Sequence, residues 1–281
     1  MILVLKNADF SAKNIGQVQV TVNLHAFTEA AIQASGNTPL TAEQKSALDS
    51  LFLSMGVDGS NDVMSKMRKV YLPIIAGDVS KALINYNSSS FIVDKELSPT
   101  YWTFRNNGLV GVQQGQPITL TLENPLLANN FSQFFLRTEK MESNVDDGTY
   151  VTTLRGKINT NLYLGIRQQS ESSNQGFSFG TYGRAWGGFK TKTFDRIKTS
   201  CVNINDLSYD LNNQGDWSTP SIPPVTSNMS AETSQTLYVF GLSNENIAKP
   251  YAVVMLGEHL TTEQAKNISG KIDALYDTFN I

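Results

Sequence analysis

The chain has one cysteine, Cys201, and two histidines, His25 and His259, in 281 residues. A lone cysteine excludes an intramolecular disulfide framework and a cysteine-based zinc site, and two widely separated histidines leave little for a metal centre. Long hydrophobic runs are missing too. The longest, Tyr251 to Leu256, is six residues, far short of a membrane-spanning helix. Charge is scarce: 17% of residues are charged, and 22 Lys+Arg against 25 Asp+Glu leave a formal net charge of −3, which excludes the basic footprint that nucleic acid requires. The start Met1-Ile2-Leu3-Val4-Leu5 is too short for the apolar part of a secretory signal and has no basic residue before it, so a chain made without an export signal is expected. Gly-x-Gly-x-x-Gly, Walker-type Gly-x4-Gly-Lys-Ser/Thr, His-Glu-x-x-His and EF-hand patterns are all absent, which removes the nucleotide and zinc-protease readings.

What the chain has in abundance is amide and hydroxyl. Asn, Gln, Ser and Thr make up 90 residues, while 40% of the chain is hydrophobic, enough to bury a substantial core and to exclude intrinsic disorder. Helix signals are few. Thr41 and Gln44 have capping-box spacing ahead of Ala47, Leu48, Leu51, Phe52 and Met55, which recur at threes and fours until Gly56. A second helix is expected from Asn61 or Asp62 through Val63, Met64, Met67 and Val70 toward Pro73. A third closes the chain, where Leu260-Thr261-Thr262-Glu263-Gln264 opens a face of Ala265, Ile268, Ile272, Leu275 and Phe279.

Strand signals dominate the rest. Residues 17–24 alternate strictly polar and apolar. From about residue 81, strands are expected near 81–87, 91–95, 101–105, 109–113, 117–123, 132–138, 150–157, 160–168, 176–182, 186–191, 197–205, 235–241 and 250–257. So many short strands with almost no helix between them argue for a sandwich and against any βαβ fold. Asn212 to Pro224 reads as a long polar loop, and Gln168 to Gln175 as a hairpin tip or a short disordered stretch.

Each chemical motif has a plainer reading beside it. Gly176-Phe177-Ser178-Phe179-Gly180 fits the Gly-x-Ser-x-Gly nucleophile elbow, yet polar residues precede it and Thr181-Tyr182-Gly183-Arg184 follows, where an elbow needs a buried strand and then a helix. Glu139 and Glu142 near a hairpin, Asp146-Asp147 before Gly148, and His259 beside Glu258 read as turn, surface or cap residues rather than as a glycosidase pair. Lys66, Arg68 and Lys69 read as a solvated face or a subunit contact. Aromatics in amide- or glycine-rich loops carry the best functional signal. Trp217 sits among Asn212, Asn213, Gln214 and Asp216, and Trp186 lies near Tyr182, Arg184 and Phe189. An aromatic plate for the apolar face of a sugar, with amides or a carboxylate for its hydroxyls, is how a protein holds a glycan. Either indole serves equally as a plug for the end of a sandwich.

Leu237-Tyr238-Val239-Phe240-Gly241, a polar turn, the strand Tyr251 to Gly257, and Leu260-Thr261-Thr262-Glu263 opening a helix that reaches Leu275-Tyr276 resemble the closing stretch of concanavalin A-like (laminin-G-type) jelly rolls. The resemblance implies a mainly β fold, a jelly-roll β-sandwich over residues 73–281 with a short C-terminal helix, preceded by a small α/β segment at 1–72 for attachment or oligomerisation. The calcium and manganese ligands of legume lectins have no counterpart, so no metal and no cofactor are expected. Leu3-Val4-Leu5-Lys6-Asn7-Ala8-Asp9-Phe10-Ser11, Tyr71 to Ala76 and Lys81 to Tyr86 resemble tail-fibre or head-fibre structural proteins of gut-bacterial (crAss-like) phages. That resemblance implies a non-enzymatic virion surface protein whose partners are host cell-surface glycans and other virion proteins, assembled as a homo-oligomer, a trimer by family resemblance, and not inserted in a membrane. The candidate glycan-binding residues are Trp217, Asn213, Asp216, Trp186 and Arg184, with no catalytic residue. A bacterial surface or secreted carbohydrate-binding protein, and a glycoside hydrolase or lyase on the same fold, are the alternatives. The apolar faces of the first 72 residues must cover one sheet of the jelly roll or meet neighbouring subunits.

Overall fold

The computed structural model describes residues 22–37, 39–87, 90–112, 118–127, 130–139, 150–156, 163–171, 174–181, 187–191, 198–204, 209–213, 216–218, 234–239 and 250–279; between 150 and 191, and at 209–213, 216 and 218, it describes the backbone alone. Helices α1 (Ala26–Ser35), α2 (Ala42–Ser54) and α3 (Val63–Lys66) come first. Strands β1 (Met67–Tyr71), β2 (Trp102–Arg105), β3 (Gly108–Gly111), β4 (Ile118–Leu122), β5 (Phe131–Arg137), β6 (Tyr150–Gly156) and β7 (Tyr163–Glu171) follow. Then come β8 (Asn174–Thr181), β9 (Gly187–Thr191), β10 (Ser200–Ile204), β11 (Tyr209–Asn213), β12 (Asp216–Ser218), β13 (Gln235–Val239), β14 (Tyr251–Gly257) and the closing helix α4 (Thr262–Asp277).

The strands form two antiparallel sheets. The larger runs β12-β11-β10-β5-β14-β3-β2, with β1 also paired to β14, and the smaller runs β4-β13-β6-β7-β8-β9. The chain crosses between them repeatedly, which makes the fold a jelly-roll β-sandwich, mainly β as expected. Between the sheets lie Trp102, Phe131, Phe135, Tyr251 and Val254 from one side and Ile118, Leu237 and Val239 from the other. The opposite face of the larger sheet is covered by helices: Phe134, Leu136, Val253 and Met255 meet Leu48, Leu51, Phe52, Ile268 and Ile272. β14 is therefore buried on both faces, all seven residues of it. That is why its sequence is continuously apolar where a one-sided strand would alternate.

The helices are fixed by their ends. Thr41 Oγ1 accepts from Gln44 N and Gln44 Oε1 accepts from Thr41 N, a capping box repeated by Thr261 and Gln264 at the start of α4. Just before α4, the Leu260 N–H donates to Ser132 Oγ and Asn203 Oδ1, and Asn203 Nδ2 donates to Leu260 O at 2.9 Å, so the turn leaving β14 is held against β5 and β10. Further along α4, Asp273 Oδ1 accepts from Thr199 N and Oγ1 at 2.6 and 2.8 Å. Burial pushes the Asp273 carboxyl above the usual carboxylate range against the opposing pull of those bonds.

The second expected helix stops after one turn, and Met67 to Tyr71 is a strand. The register against β14 pairs Met67 with Gly257 and Lys69 with Leu256, a one-residue bulge. The bulge returns Met67 and Val70 to the same face, where both are buried beneath the helices. A strand with a bulge thus shows the three-residue spacing of a helix. No strand forms at 81–87 or 91–95, where a 3₁₀ turn at Val79–Lys81 and an isolated bridge from Ile84 to Val93 stand instead. The Asn85 side chain takes the place of a ladder: its Oδ1 accepts from Val70 N at 3.0 Å and its Nδ2 donates to Arg68 O at 3.3 Å. α1 is an unexpected helix, capped by the His25 side chain accepting from Phe27 N. Residues 212–213 and 216–218, read from sequence as loop, belong to the hairpin of β11 and β12. Of the strand expected at 17–24, only 22–24 lie within the described residues, and they take no regular structure.

Leu48, Leu51 and Phe52 are fully buried and Met67 nearly so, all against the chain's own larger sheet. Of the two arrangements open to the segment ahead of residue 73, the described part takes the first, covering one face of the sandwich.

Candidate functional site

With helices over the larger sheet, the outer face of the smaller sheet is the broad surface left to consider. Its direction is set by β4 and β13. Ile118, Leu122, Leu237 and Val239 are buried between the sheets, while Thr119 and Thr121 are exposed and Thr236 and Tyr238 half-buried on the other side. Strand alternation and register carry that assignment across the sheet, because residues paired across an antiparallel ladder share a face. Tyr238 pairs with Thr153, and Thr236 with Arg155. Thr153 pairs with Gly165, and Arg155 with Tyr163. From β7 to β8 the outer-face pairs are Gly165 with Gly180, Arg167 with Ser178, Gln169 with Gly176 and Glu171 with Asn174. From β8 to β9 they are Ser178 with Gly188 and Gly176 with Lys190.

The face so defined has a simple composition. Arg155, Arg167 and Lys190 are its cationic positions over β6 to β9, Glu171 at the hairpin end is its acidic one, and Tyr150, which pairs with Arg167 beyond a register shift, Tyr163 and, on β13, Tyr238 are its aromatic ones. Gly165, Gly180, Gly176, Ser178 and Gly188 occupy the positions between them. Glycine within a strand weakens it and marks a place where another molecule's surface can approach the backbone closely.

Ser178 lies in the middle of β8, paired to Arg167 on one side and Gly188 on the other. The strand continues through it to Thr181, so no strand-turn-helix elbow exists there and Ser178 is not an elbow nucleophile. Other groups singled out by motif are tied up elsewhere. Glu258 pairs with Arg68, and Glu139 takes a two-pronged contact from Arg105. His259 is half-buried, its backbone N–H donating to Asn130 Oδ1 at 2.9 Å. Glu142, Asp146 and Asp147 lie outside the described residues. Among the described residues no group of three or more His, Cys, Asp and Glu side chains comes together as a cation site, and no described helix is long and apolar enough to cross a membrane.

The sequence-derived glycan candidates fall in two places. Asn213, Asp216 and Trp217 share the β11–β12 hairpin, where Asn213 pairs with Asp216 and Asn212 with Trp217. Trp217 therefore shares a face with position 212, and the Asn213–Asp216 pair alternates to the other. The indole is half-buried at the edge of the helix-covered core, with Lys266 Nζ of α4 5.8 Å from its ring centroid. The hairpin thus brings the three residues close without setting them on one face. Trp186 and Arg184 lie outside the described residues. The outer-face positions on β6 to β9 were not singled out from sequence. Their signal, single cations on β6, β7 and β9 flanking a β8 of small residues, becomes visible only once the strands are paired.

These features define a jelly-roll sandwich whose larger sheet is covered by helices and whose smaller sheet carries exposed Thr119 and Thr121 on the outer side of its described edge. The chain is similar in structure to the sialidase of Trypanosoma rangeli, at 9% identity over 82% of this chain and 39% of the sialidase, with a TM-score of 0.53. It is similar to the complex of that sialidase with 2,3-difluorosialic acid at 10% identity and a TM-score of 0.52, over the same shares. Domain 4 of a GH43 extracellular arabinanase from Geobacillus stearothermophilus matches at 13% identity over 73% of this chain and 98% of that chain, with a TM-score of 0.44. The chain thus spans about two fifths of the sialidase it resembles, and the likeness shows the fold. No protein-family model and no curated protein sequence matches it.

Proposed function

We propose that this chain is a non-catalytic glycan-binding jelly roll, displayed on a phage particle as a fibre-type component. The observation that carries the binding reading is the asymmetry of the sandwich: one sheet is covered by helices, while the described edge of the other carries Thr119, Thr121, Thr236 and Tyr238 on its outer side. The sialidase that shares the fold has a structure with 2,3-difluorosialic acid, and only the class of ligand, a sugar, is carried over from it. The non-catalytic reading rests on Ser178 standing in a regular strand and on Glu139 and Glu258 being engaged by arginines. The phage setting rests on sequence resemblance, as does assembly into a homo-oligomer with other virion proteins. Because the described apolar face of the N-terminal segment is spent on the chain's own sheet, the oligomer contact would come from other surfaces.

Glycan-array binding, immunolabelling of purified particles and a reducing-end and unsaturated-uronate assay on array hits test the three parts separately. Array hits, labelled particles and unchanged hits are expected. An empty array removes the glycan reading, unlabelled particles remove the phage setting, and a cleaved glycan makes the chain a hydrolase or lyase on the same fold.

A further inference from the structure

Resting on that glycan reading, we propose that the outer face of β6 to β9 binds a carboxylate-bearing polysaccharide. Charge decides the class. Three cationic positions, Arg155, Arg167 and Lys190, share this face with a single acidic one, Glu171, which lies at the hairpin end. The chain as a whole carries a formal net charge of −3, so this is a local reversal of its overall sign.

Spacing fits an extended chain. Tyr163 and Arg167 lie four residues apart on β7, about 13 Å along the strand, and Lys190 lies two strands from β7, about 10 Å across. Cations so placed meet a polymer at several separate sugars and do not converge on one. The guanidinium fork matches a carboxylate with two parallel hydrogen bonds, which favours uronates and sialates over neutral sugars. Tyrosine supplies a plate for a ring's apolar face. The residues at 165, 176, 178, 180 and 188 are glycine or serine, the types that let another molecule approach a strand's backbone. Nucleic acid is the weaker fit, because three cations provide few of the phosphate contacts from which polynucleotide affinity is built.

The test uses the full chain and affinity electrophoresis against polygalacturonate, alginate and polysialic acid, with dextran, dextran sulfate and double-stranded DNA as comparators, at two salt concentrations. Binding to at least one of the three carboxylated polymers and weaker binding to every comparator is expected. Arg155→Gln, Arg167→Gln and Lys190→Gln should each weaken it about tenfold. Circular dichroism and melting temperature check that the variants fold, and the conservative Arg167→Lys separates loss of the fork from loss of charge. Equal binding to dextran sulfate or DNA overturns the proposal in favour of unselective anion binding. Binding to dextran that survives all three substitutions overturns it while leaving the glycan reading intact. Array hits confined to neutral sugars do the same, and an empty array together with no polymer binding removes both.

Discussion

Tyr71 donates its hydroxyl to Asp94 Oδ2 at 2.6 Å, and Lys69, two residues earlier on β1, donates to the same oxygen at 2.7 Å. Both charged side chains are mostly buried, 12% exposed for Lys69 and 16% for Asp94. One carboxylate oxygen thus ties the irregular segment after residue 82 to β1.

Asp94→Ala leaves the Lys69 charge buried without its partner and should cost about 3 kcal/mol. Tyr71→Phe removes one hydrogen bond to a charged group and should cost about 1.5 kcal/mol. Tyr86→Phe is the contrast: its hydroxyl is buried with no partner among the described residues, so the substitution should be neutral or stabilising. Urea titration of the three variants gives the order, and a Tyr86→Phe loss matching Tyr71→Phe would contradict it.

Alkaline pH should weaken the fold through the same two tyrosines. Burial, then the Asp94 charge and hydrogen bond, push the Tyr71 hydroxyl well above the ordinary tyrosine range, and burial alone pushes Tyr86 up. In the unfolded chain both ionise near pH 10, about the reference value. The unfolded state therefore releases protons first. Stability from this source is complete below about pH 10 and falls as the pH climbs toward the folded-state values. Unfolding free energies from pH 8 to 11 should show the decline, with a shallower slope in Tyr86→Phe.

The two capping boxes sit at the N-termini of helices that pack together, and Gln44 near the start of α2 reaches Thr278 O beyond the end of α4 at 3.4 Å. The helices therefore run antiparallel, with their caps far apart. Thr41→Ala and Thr261→Ala should each cost about 1 kcal/mol, and the double variant should lose the sum. A marked departure from additivity in thermal unfolding would show that the ends communicate.

Gly257 faces the start of β1, where it pairs with Met67. A Cβ there would stand 2.5 Å from Lys66 O and 2.7 Å from Met67 Cα, both backbone atoms. Gly257→Ala should push β1 outward at a cost of roughly 2–3 kcal/mol. Hydrogen exchange should quicken at residues 67–71 before it does at β5, and uniform loosening would count against this local account.

Trp217→Ala distinguishes a plug from a ligand plate. The ring packs on the helix-covered core beneath Lys266, so the substitution should cost about 1–2 kcal/mol of stability. Binding to glycan-array hits should change less than twofold. A large loss of binding with unchanged stability would return the hairpin to the ligand site.

Local patterns made much of this fold legible. Capping boxes, the 3.6-residue period of α2 and α4, and strict alternation in β4 are all written within a few residues of chain. What stayed hidden depends on partners far away in sequence. Met67 and Val70 mimic a helix because a bulge opposite Gly257 sets them on one face, and Asn85 disguises a turn as a strand by lending its side chain to Val70. The outer face of β6 to β9 is a stronger case. Arg155 and Lys190 become neighbours of Tyr163 and Arg167 only through three successive registers, and no single segment carries that information.

β14 occupies the middle of the larger sheet, between β5, β3 and β1, and the Arg68–Glu258 ion pair beside it closes a separation of 190 residues. A ribosome adding about 5–20 residues each second needs roughly 10–40 s to make that interval. Throughout it, β1 lacks the strand it pairs with and α2 lacks the cover of Val253, Met255, Ile268 and Ile272, so Leu48, Leu51, Phe52 and Met67 stay incompletely buried. β14 is thus an element that both cores wait for, and chains cut short before residue 251 should appear as aggregates or protease substrates, never as smaller folded products.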